Sequence, residues 1–244
     1  MVAAGAVGFL LTLATPRAQT ANPADSPTMR AMADELARSM RELRLPDQPA
    51  PYYIEYEVDD RLTTRVTARL GAVADDLNGR TRTLRVSVRV GDYAFDSSLF
   101  NSPDRVGGVI NLGADGRTSA PLDEDYDSMR KRIWLATDIA YKRAVSTFAR
   151  KKAAFQDRAD TQTLPDFSRE KPEETILRGL PPTVANRDWP DRARQLSALF
   201  TNVGIVENSE VVVSDVRGTR CYLNSEGTRV VAPVQIAKIG RAHV

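Results

Sequence analysis

Alternation of apolar and polar residues between positions 52 and 90 constrains the fold more than any other feature of the sequence. Side chains in a strand point alternately to the two faces of a sheet, so a period of two predicts strands with one buried face. Three segments share this pattern: YYIEYEV, RLTTRVTARLG and RTRTLRVSVRV. Their predicted buried residues are Tyr52, Ile54, Tyr56, Val58, Leu62, Thr64, Val66, Ala68, Leu70, Leu84, Val86, Val88 and Val90. We predict an antiparallel sheet with turns at Asp59–Asp60 and Asn78–Gly79.

The opposite face of these strands carries both arginines and acids. The arginines are Arg65, Arg69, Arg85 and Arg89. Glu55 and Glu57 fall on the same face, so cross-strand ion pairs explain the pattern without a ligand. Nucleic-acid binding is only a minor alternative, because the net charge is +2, with 34 basic and 32 acidic residues.

Helical periodicity appears in three separate segments. The first is Ser26–Leu45, with Ser26 as the N-cap and Pro27 at the first helical position. Its core-facing stripe consists of Met29, Met32, Ala33, Leu36, Met40 and Leu43. The second is a long helix over Leu122–Gln156, whose acidic start and basic end complement the helix dipole. Its stripe consists of Met129, Ile133, Ala136, Ala140, Ala144 and Phe148, widened by Trp134, Tyr141 and Val145. A short third helix is capped by Asp188.

From Ser209 onward the period is two again. The segment SEVVVSDVRGTRCYLNSEGTRVVAPVQI predicts strand, turn, strand, turn, strand. The predicted turns lie at Arg217–Gly218 and Asn224–Gly227. Helices and hairpins occupy separate blocks, so the predicted fold class is α+β: an antiparallel sheet with a long packed helix and flanking helices.

Residue types that perform catalysis are scarce. His243 is the only histidine and Cys221 the only cysteine, which is predicted to be a buried structural thiol. Neither a nucleophilic triad nor a complete zinc site can be built from them. The neighbouring acids Asp59/Asp60, Asp75/Asp76 and Asp123/Glu124 leave a carboxylate-based hydrolase, active in EDTA, as a weak alternative. We therefore assign no catalytic, cofactor-binding or metal-ligating residue.

The N-terminus indicates export. Ala3–Ala14 is an uncharged apolar run, too short to span a bilayer, which needs about 20 residues. The run suits the hydrophobic region of a signal peptide cleaved at Ala18 or Ala21, although a basic segment before it is missing. We expect residues 1–21 to be a signal peptide, with a periplasmic location and no stable membrane span.

Four blocks, in order, resemble one branch of the TldD/PmbA family of metallopeptidases. They are RIWLATDIAYKRAVSTFARKKAAFQ, LPDFSREKP, DWPDRARQLSALF and RCYLNSEGTRV. PYYIEYEV fits the same N-terminal half of such proteins, and the resemblance extends from Ser26 to Ile236. It implies that residues 22–204 are the family's N-terminal α+β domain and that residues 205–238 begin the following β-rich region.

The resemblance also implies a function for the full-length protein. The peptidase members of the family carry a His-Glu-x-x-x-His motif that would lie beyond the last residue of this chain. Its histidines would hold zinc, whose bound water attacks a peptide carbonyl. We expect this chain to be an N-terminal fragment, inactive alone, with zinc as cofactor, a peptide as substrate and a dimer partner from the same family. The alternative is an exported non-catalytic α+β module that binds a peptide or a partner.

The final segment IGRAHV corresponds to the translation of a common sequencing-library adapter. We expect Ile239–Val244 to be adapter read-through, so that the protein's own sequence is interrupted near Lys238, inside a strand. His243 would then have no function. The alternative is a native, solvent-exposed tail.

Overall fold

The computed structural model of the protein describes residues 23–100, 110–156, 164–177, 188–201 and 209–243. A 3-10 turn at Pro23–Asp25 precedes the first helix. The helices are α1 (Pro27–Glu42), α2 (Tyr126–Gln156) and α3 (Trp189–Ala198). The strands are β1 (Pro51–Arg69), β2 (Ala72–Val90), β3 (Arg117–Ser119), β4 (Glu174–Ile176), β5 (Ser209–Asn224) and β6 (Arg229–His243).

The described strands form one six-stranded sheet in the order β3-β2-β1-β5-β6-β4. Neighbouring strands are antiparallel except β4 and β6, which are parallel. The predicted α+β class is confirmed, with one parallel edge pair added to the expected antiparallel sheet. Residues from 209 onward, expected to begin a separate region, pair with β1 in this same sheet.

Two of the predicted turns are wrong, because β1 and β2 are uninterrupted strands of 19 residues each. Asp59–Asp60 and Asn78–Gly79 both lie within these strands. The hairpin turns instead at Leu70–Gly71, where both residues have positive φ, 43° and 84°. Acids are tolerated in the middle of β1 because arginines from neighbouring strands pair with them, as Arg220 does with Asp59 at 2.9 Å.

The predicted turn at Arg217–Gly218 is also wrong, because β5 passes straight through it. A glycine is needed there for close packing: a Cβ at Gly218 would lie 1.9 Å from the carbonyl oxygen of Asp60. Glycine inside a strand often marks such a close approach of two backbones. The turn predicted at Asn224–Gly227 is confirmed, and Gly227 has a φ of 103°.

All three described helices pack on one face of the sheet, which we call the helix face. The larger core joins α1 and α2 to alternate residues of the central strands, among them Ile54, Tyr56, Val58, Leu84, Val86 and Leu223. A smaller core lies under α3 and contains Val66, Ala68, Trp189, Ala193, Val211 and Val213. The period-two pattern therefore predicted which face of β1 and β2 packs against the helices, but not every residue predicted to be buried is buried. Leu62 is 54% exposed because it lies in β1 between the residues of the two cores, and Leu70 is 39% exposed at the hairpin turn. At the start of β1 a register shift buries Tyr53 and leaves Tyr52 only partly buried.

The helix ends and stripes largely follow the predictions. The Ser26 hydroxyl accepts a hydrogen bond from the Met29 N–H at 3.2 Å, which confirms the predicted N-cap of α1. Asp188 caps α3 in the same way, at 3.1 Å from the Asp191 N–H. Two predicted core residues are exceptions: Trp134 is 46% exposed and does not widen the core stripe of α2, and Ala33 of α1 is exposed. The helix α2 also begins at Tyr126 and not at Leu122, and its last turn carries no basic residue.

Candidate functional sites

A buried ion pair joins the end of α2 to two loops. Lys151 is 1% exposed, and its Nζ donates hydrogen bonds to Asp166 Oδ2 at 2.5 Å and to the Ser98 carbonyl at 2.9 Å. The ammonium also lies 4.7 Å from the centre of the Phe95 ring. Asp166 accepts the backbone N–H of Asp96 at 2.7 Å. The pair is thus fixed by hydrogen bonds and is closed to substrates.

Asp96 extends this cluster toward β1 and β2. It accepts hydrogen bonds from the Tyr52 hydroxyl at 2.6 Å, from Arg89 Nη1 at 2.9 Å and from the Ser98 N–H at 2.6 Å. Burial disfavours the carboxylate, but these hydrogen bonds outweigh it and lower the pKa of Asp96. Burial, together with the Asp96 carboxylate, raises the pKa of Tyr52. We call the group formed by Lys151, Asp166, Asp96 and their hydrogen-bond partners the clamp, because it holds the loops in place. The sequence analysis did not predict it.

Aromatic rings lie next to the clamp, on the face of the sheet opposite the helices. The guanidinium of Arg89 lies 4.0 Å from the centre of the Phe167 ring. The Tyr93 hydroxyl donates a hydrogen bond to Glu226 at 2.6 Å, and Arg169 lies over the Tyr93 ring at 5.1 Å. These contacts connect the LPDFSREKP segment with the turn between β5 and β6.

Ion pairs line the face of the sheet opposite the helices, which we call the open face. Arg85 donates hydrogen bonds to Glu55 at 3.1 Å and to Glu57 at 3.3 Å. Arg220 donates to Asp59 from the other neighbouring strand, at 2.9 Å. The predicted cross-strand pairing of Glu55 and Glu57 with the arginines is confirmed. These arginines are neutralised by acids and do not form a basic stripe.

The neighbouring acids do not assemble into an acid–base pair. Consecutive residues of a strand point to opposite faces, which separates the carboxylates of Asp59–Asp60 in β1 and of Asp75–Asp76 in β2. On the helix face, Asp60 is held by Arg80 and Arg82. In the third pair, Asp123–Glu124, the Glu124 carboxylate binds Arg82 as well. The weak alternative of a carboxylate-based hydrolase therefore loses its candidate residues, because paired catalysis needs both carboxyl groups at one site.

A cavity of about 320 Å³ lies between the start of α1 and the middle of the sheet. Its lining consists of Ser26, Thr28, Val58, Asp60, Arg80, Arg82, Glu124, Thr219, Cys221 and Val231. Arg82 contributes no free charge, since it donates to two carboxylates and to the carbonyls of Pro121 and Asp123. Cys221 is buried as predicted, and burial raises the pKa of its thiol to about 11. The thiol is therefore protonated and structural at neutral pH.

We expect Cys221 to be slow to alkylate in the folded protein. At about pH 8, a thiol with this raised pKa has a thiolate fraction roughly 100-fold or more below that of an ordinary cysteine. Iodoacetamide labelling followed by mass spectrometry should show slow modification in buffer and fast modification in urea. Native labelling as fast as that of a free cysteine would contradict the burial of this thiol.

No metal-binding group emerges from the part of the chain that the structure describes: no cluster of three or more His, Cys, Asp and Glu is placed to hold a metal ion. His243 belongs to β6 and pairs with Ser209 through its backbone, and its side chain lies outside the described residues. The absence of catalytic and metal-binding residues from this chain stays a prediction.

Within the described ranges, no helix is long and apolar enough to cross a membrane. Ala3–Ala14 lies outside those ranges.

Comparison of the sequence with protein-family models and with curated proteins finds no match. Solved structures similar to this chain include TldE from Thermococcus kodakarensis, at 13% identity and a TM-score of 0.42, covering 86% of this chain. Two bacterial proteins carry the name "putative modulator" of DNA gyrase. The one from Thermotoga maritima is 11% identical, with a TM-score of 0.37 over 78% of this chain. The one from Bacteroides thetaiotaomicron is 11% identical, with a TM-score of 0.39 over 84% of this chain.

One of these neighbours carries the name TldE. The chain spans only 38–39% of the length of these neighbours. At this identity and these TM-scores, the likeness assigns neither an activity nor site residues to the chain.

Proposed function

We propose that this chain is the non-catalytic N-terminal α+β part of an exported TldD/PmbA-like zinc metallopeptidase. Zinc and the residues that hold it would belong to a following region that carries His-Glu-x-x-x-His. The part described above would support that region and help to enclose an extended peptide. The substrates would be peptides or unfolded segments of proteins.

The observation that carries this proposal is the way the resemblance blocks assemble. The first block forms most of α2, and its Lys151 pairs with Asp166 of the second block. The second block continues to Pro172, which lies against Gly227 of the fourth block, at 3.3 Å from where a Cβ of that glycine would stand. Segments far apart in sequence are therefore in contact, through the buried Lys151–Asp166 ion pair and an exposed contact between Pro172 and Gly227. These contacts support the view that the first, second and fourth blocks belong to one domain.

A peptidase assay on two proteins tests the proposal. The chain alone should not cleave a fluorogenic peptide or denatured casein, with or without added zinc. A longer product of the same gene that includes His-Glu-x-x-x-His should cleave, lose activity with a chelator and regain it with zinc. Zinc-independent cleavage by the chain alone, or no cleavage by a correctly folded longer product, would contradict the proposal.

The alternative of an exported non-catalytic binding module predicts a different result. In that case the gene encodes no His-Glu-x-x-x-His motif, so no such longer product exists, and the chain alone does not cleave. Peptide binding by the folded chain, measured by isothermal titration calorimetry, would then be the relevant activity.

A further inference from the structure

One stretch of the outer edge of β2 is not covered by another described strand. β3 pairs with β2 only from Thr83 to Arg85. Next to this pairing, the Val86 N–H donates a hydrogen bond to the Gly116 carbonyl at 3.0 Å. The chain leaves the edge there, because the Gly116 N–H donates to the Gly113 carbonyl at 3.1 Å instead of to β2. The edge of β2 is therefore open after Val86.

The edge is covered again at Val90. The Val90 carbonyl accepts the Ser97 N–H at 3.0 Å, and the Val90 N–H donates to the Ser97 hydroxyl at 3.3 Å. In an antiparallel ladder, the backbone N–H and C=O groups of every second residue point to the same side of the strand. Val88 therefore points its N–H and C=O away from β1, as Val86 and Val90 do.

The hydrogen bonds of β1 support this direction for the two groups of Val88. Ile54 lies opposite Val88 but binds Ser225 on its other side. The Ile54 N–H donates to the Ser225 hydroxyl at 3.1 Å, and the Ile54 carbonyl accepts the Ser225 N–H at 2.9 Å. Among the described residues, none forms a hydrogen bond with the outward N–H or C=O of Val88. Val88 is only 8% exposed, and buried peptide groups without a partner are rare in folded proteins.

A cavity of about 280 Å³ lies beside this open edge, between β2, α2 and the two loops that cover β2 on either side. Its wall on the helix face is apolar and includes Val88, Leu112, Ala140 and Ala144, all of them buried. The two alanines are one helical turn apart on α2, so they are neighbours on its surface. Their small side chains leave space between α2 and the edge of β2.

The charged side chains around the cavity already have partners. Arg143 donates hydrogen bonds to the carbonyls of Leu112 and Gly113, both at 2.7 Å. The other charges form the ion pairs Arg85–Glu55, Arg89–Asp96 and Asp115–Arg117. The cavity therefore favours an uncharged ligand that has a hydrogen-bond donor and an acceptor over a phosphate or another small anion.

We propose that this cavity binds a short extended peptide segment, which adds a strand to β2 at Val88. Addition of a strand to an exposed sheet edge is a common mode of peptide recognition, and its affinity comes from main-chain hydrogen bonds. The distance from Val86 to Val90 along the strand is about 13 Å, which gives room for about three residues of the segment. An antiparallel segment suits the site, because one of its residues then exchanges both hydrogen bonds with Val88.

The cavity also selects the side chain of that central residue. Residues directly opposite each other in two paired strands point to the same face of the sheet. The central side chain therefore points to the helix face, like that of Val88, and enters the space next to Leu112, Ala140 and Ala144. The ligand is an extended, uncharged peptide with an apolar residue at its centre.

This site deepens the proposed function, on which it rests for the class of ligand: it assigns to the described part a place where the peptide binds. It requires neither zinc nor a following region. Binding at Val88 is measured on this chain without any cleavage, whereas the peptidase assay measures cleavage by a longer product. The two can therefore fail separately.

Nuclear magnetic resonance of the isotope-labelled full chain tests the site. The probe is the acetylated and amidated peptide Thr-Thr-Leu-Thr-Thr, whose β-branched residues favour an extended backbone. In the free chain, the Val88 amide should exchange its hydrogen faster than the hydrogen-bonded amide of Val86. Millimolar peptide should shift the Val88 resonance in a saturable way and slow its exchange about tenfold or more.

Two matched comparisons make the test specific. A peptide with N-methylleucine at its centre cannot donate to the Val88 carbonyl and should bind about tenfold more weakly, the effect of one lost hydrogen bond. Ala144→Leu fills the apolar side of the cavity and should weaken binding by about tenfold or more. Ala149→Leu adds the same side chain at an exposed position of α2 outside the cavity and should bind like the wild type. Circular dichroism should show that both variants are folded.

Three results would overturn this assignment. The first is a Val88 amide that is as protected in the free chain as that of Val86, since the edge would then already be covered. The second is no shift of the Val88 resonance at millimolar peptide, or shifts confined to another part of the chain. The third is equal binding of the two peptides to the wild-type chain, which decides the matter even if Ala144→Leu fails to fold.

Discussion

Replacement of Lys151 by methionine is expected to lower the free energy of unfolding by about 3–5 kcal/mol, the usual cost of removing one partner of a buried ion pair. Methionine fills a similar volume, so the loss is mainly electrostatic. It leaves the Asp166 carboxylate inside the protein without the ammonium that lies 2.5 Å from it. Urea unfolding followed by circular dichroism would measure the change.

Two further variants separate the ion pair from other effects of this substitution. Lys152→Met changes the neighbouring exposed lysine of α2 and should alter the stability by less than about 0.5 kcal/mol. Adding Asp166→Asn to Lys151→Met removes the buried charge but keeps an oxygen for the Asp96 N–H, so it should recover part of the loss. Equal stability of the Lys151 and Lys152 variants would show that the clamp is not formed.

Replacement of Gly218 by alanine is expected to cost about 3 kcal/mol, as an extreme case of overpacking. The new Cβ would meet the Asp60 carbonyl oxygen at 1.9 Å. This oxygen and the Cα that carries the Cβ both belong to the backbones of paired strands. No side-chain rotation can relieve this contact. The hydrogen bonds between β1 and β5 would have to shift instead.

Gly79→Ala is the matched control for this prediction. Gly79 also lies inside a long strand, but nothing would stand within 4 Å of its added Cβ. Its replacement should be neutral or stabilising by about 0.5–1 kcal/mol, because glycine loses more conformational freedom on folding than alanine. If thermal unfolding showed equal effects for the two variants, the close approach of β1 and β5 would be wrong.

The period-two pattern was sufficient to predict which face of β1 and β2 packs against the helices, because burial against helices imposes that alternation. It did not locate the strand ends. Asp59–Asp60, Asn78–Gly79 and Arg217–Gly218 are typical turn sequences, but here they lie inside strands. The first is stabilised by arginines from neighbouring strands and the third by backbone packing. Both causes are long-range and cannot be recognised locally.

The clamp was only partly recognisable from the sequence. The basic end predicted for the long helix consists of Arg150, Lys151 and Lys152, but a step of three residues from Phe148 places Lys151 on the apolar stripe. That spacing was a usable signal of burial. Asp166 and Asp96 gave no comparable signal, because their roles depend on loops that meet only in the folded chain.

Long-read sequencing of the source DNA across the codon for Lys238 tests the central claim most directly. Our account predicts that the reading frame continues from that codon into a segment that encodes His-Glu-x-x-x-His, with different codons in place of Ile239–Val244. Native codons for Ile239–Val244 followed by a stop codon would contradict it. The non-catalytic binding module would then be the better description of this protein.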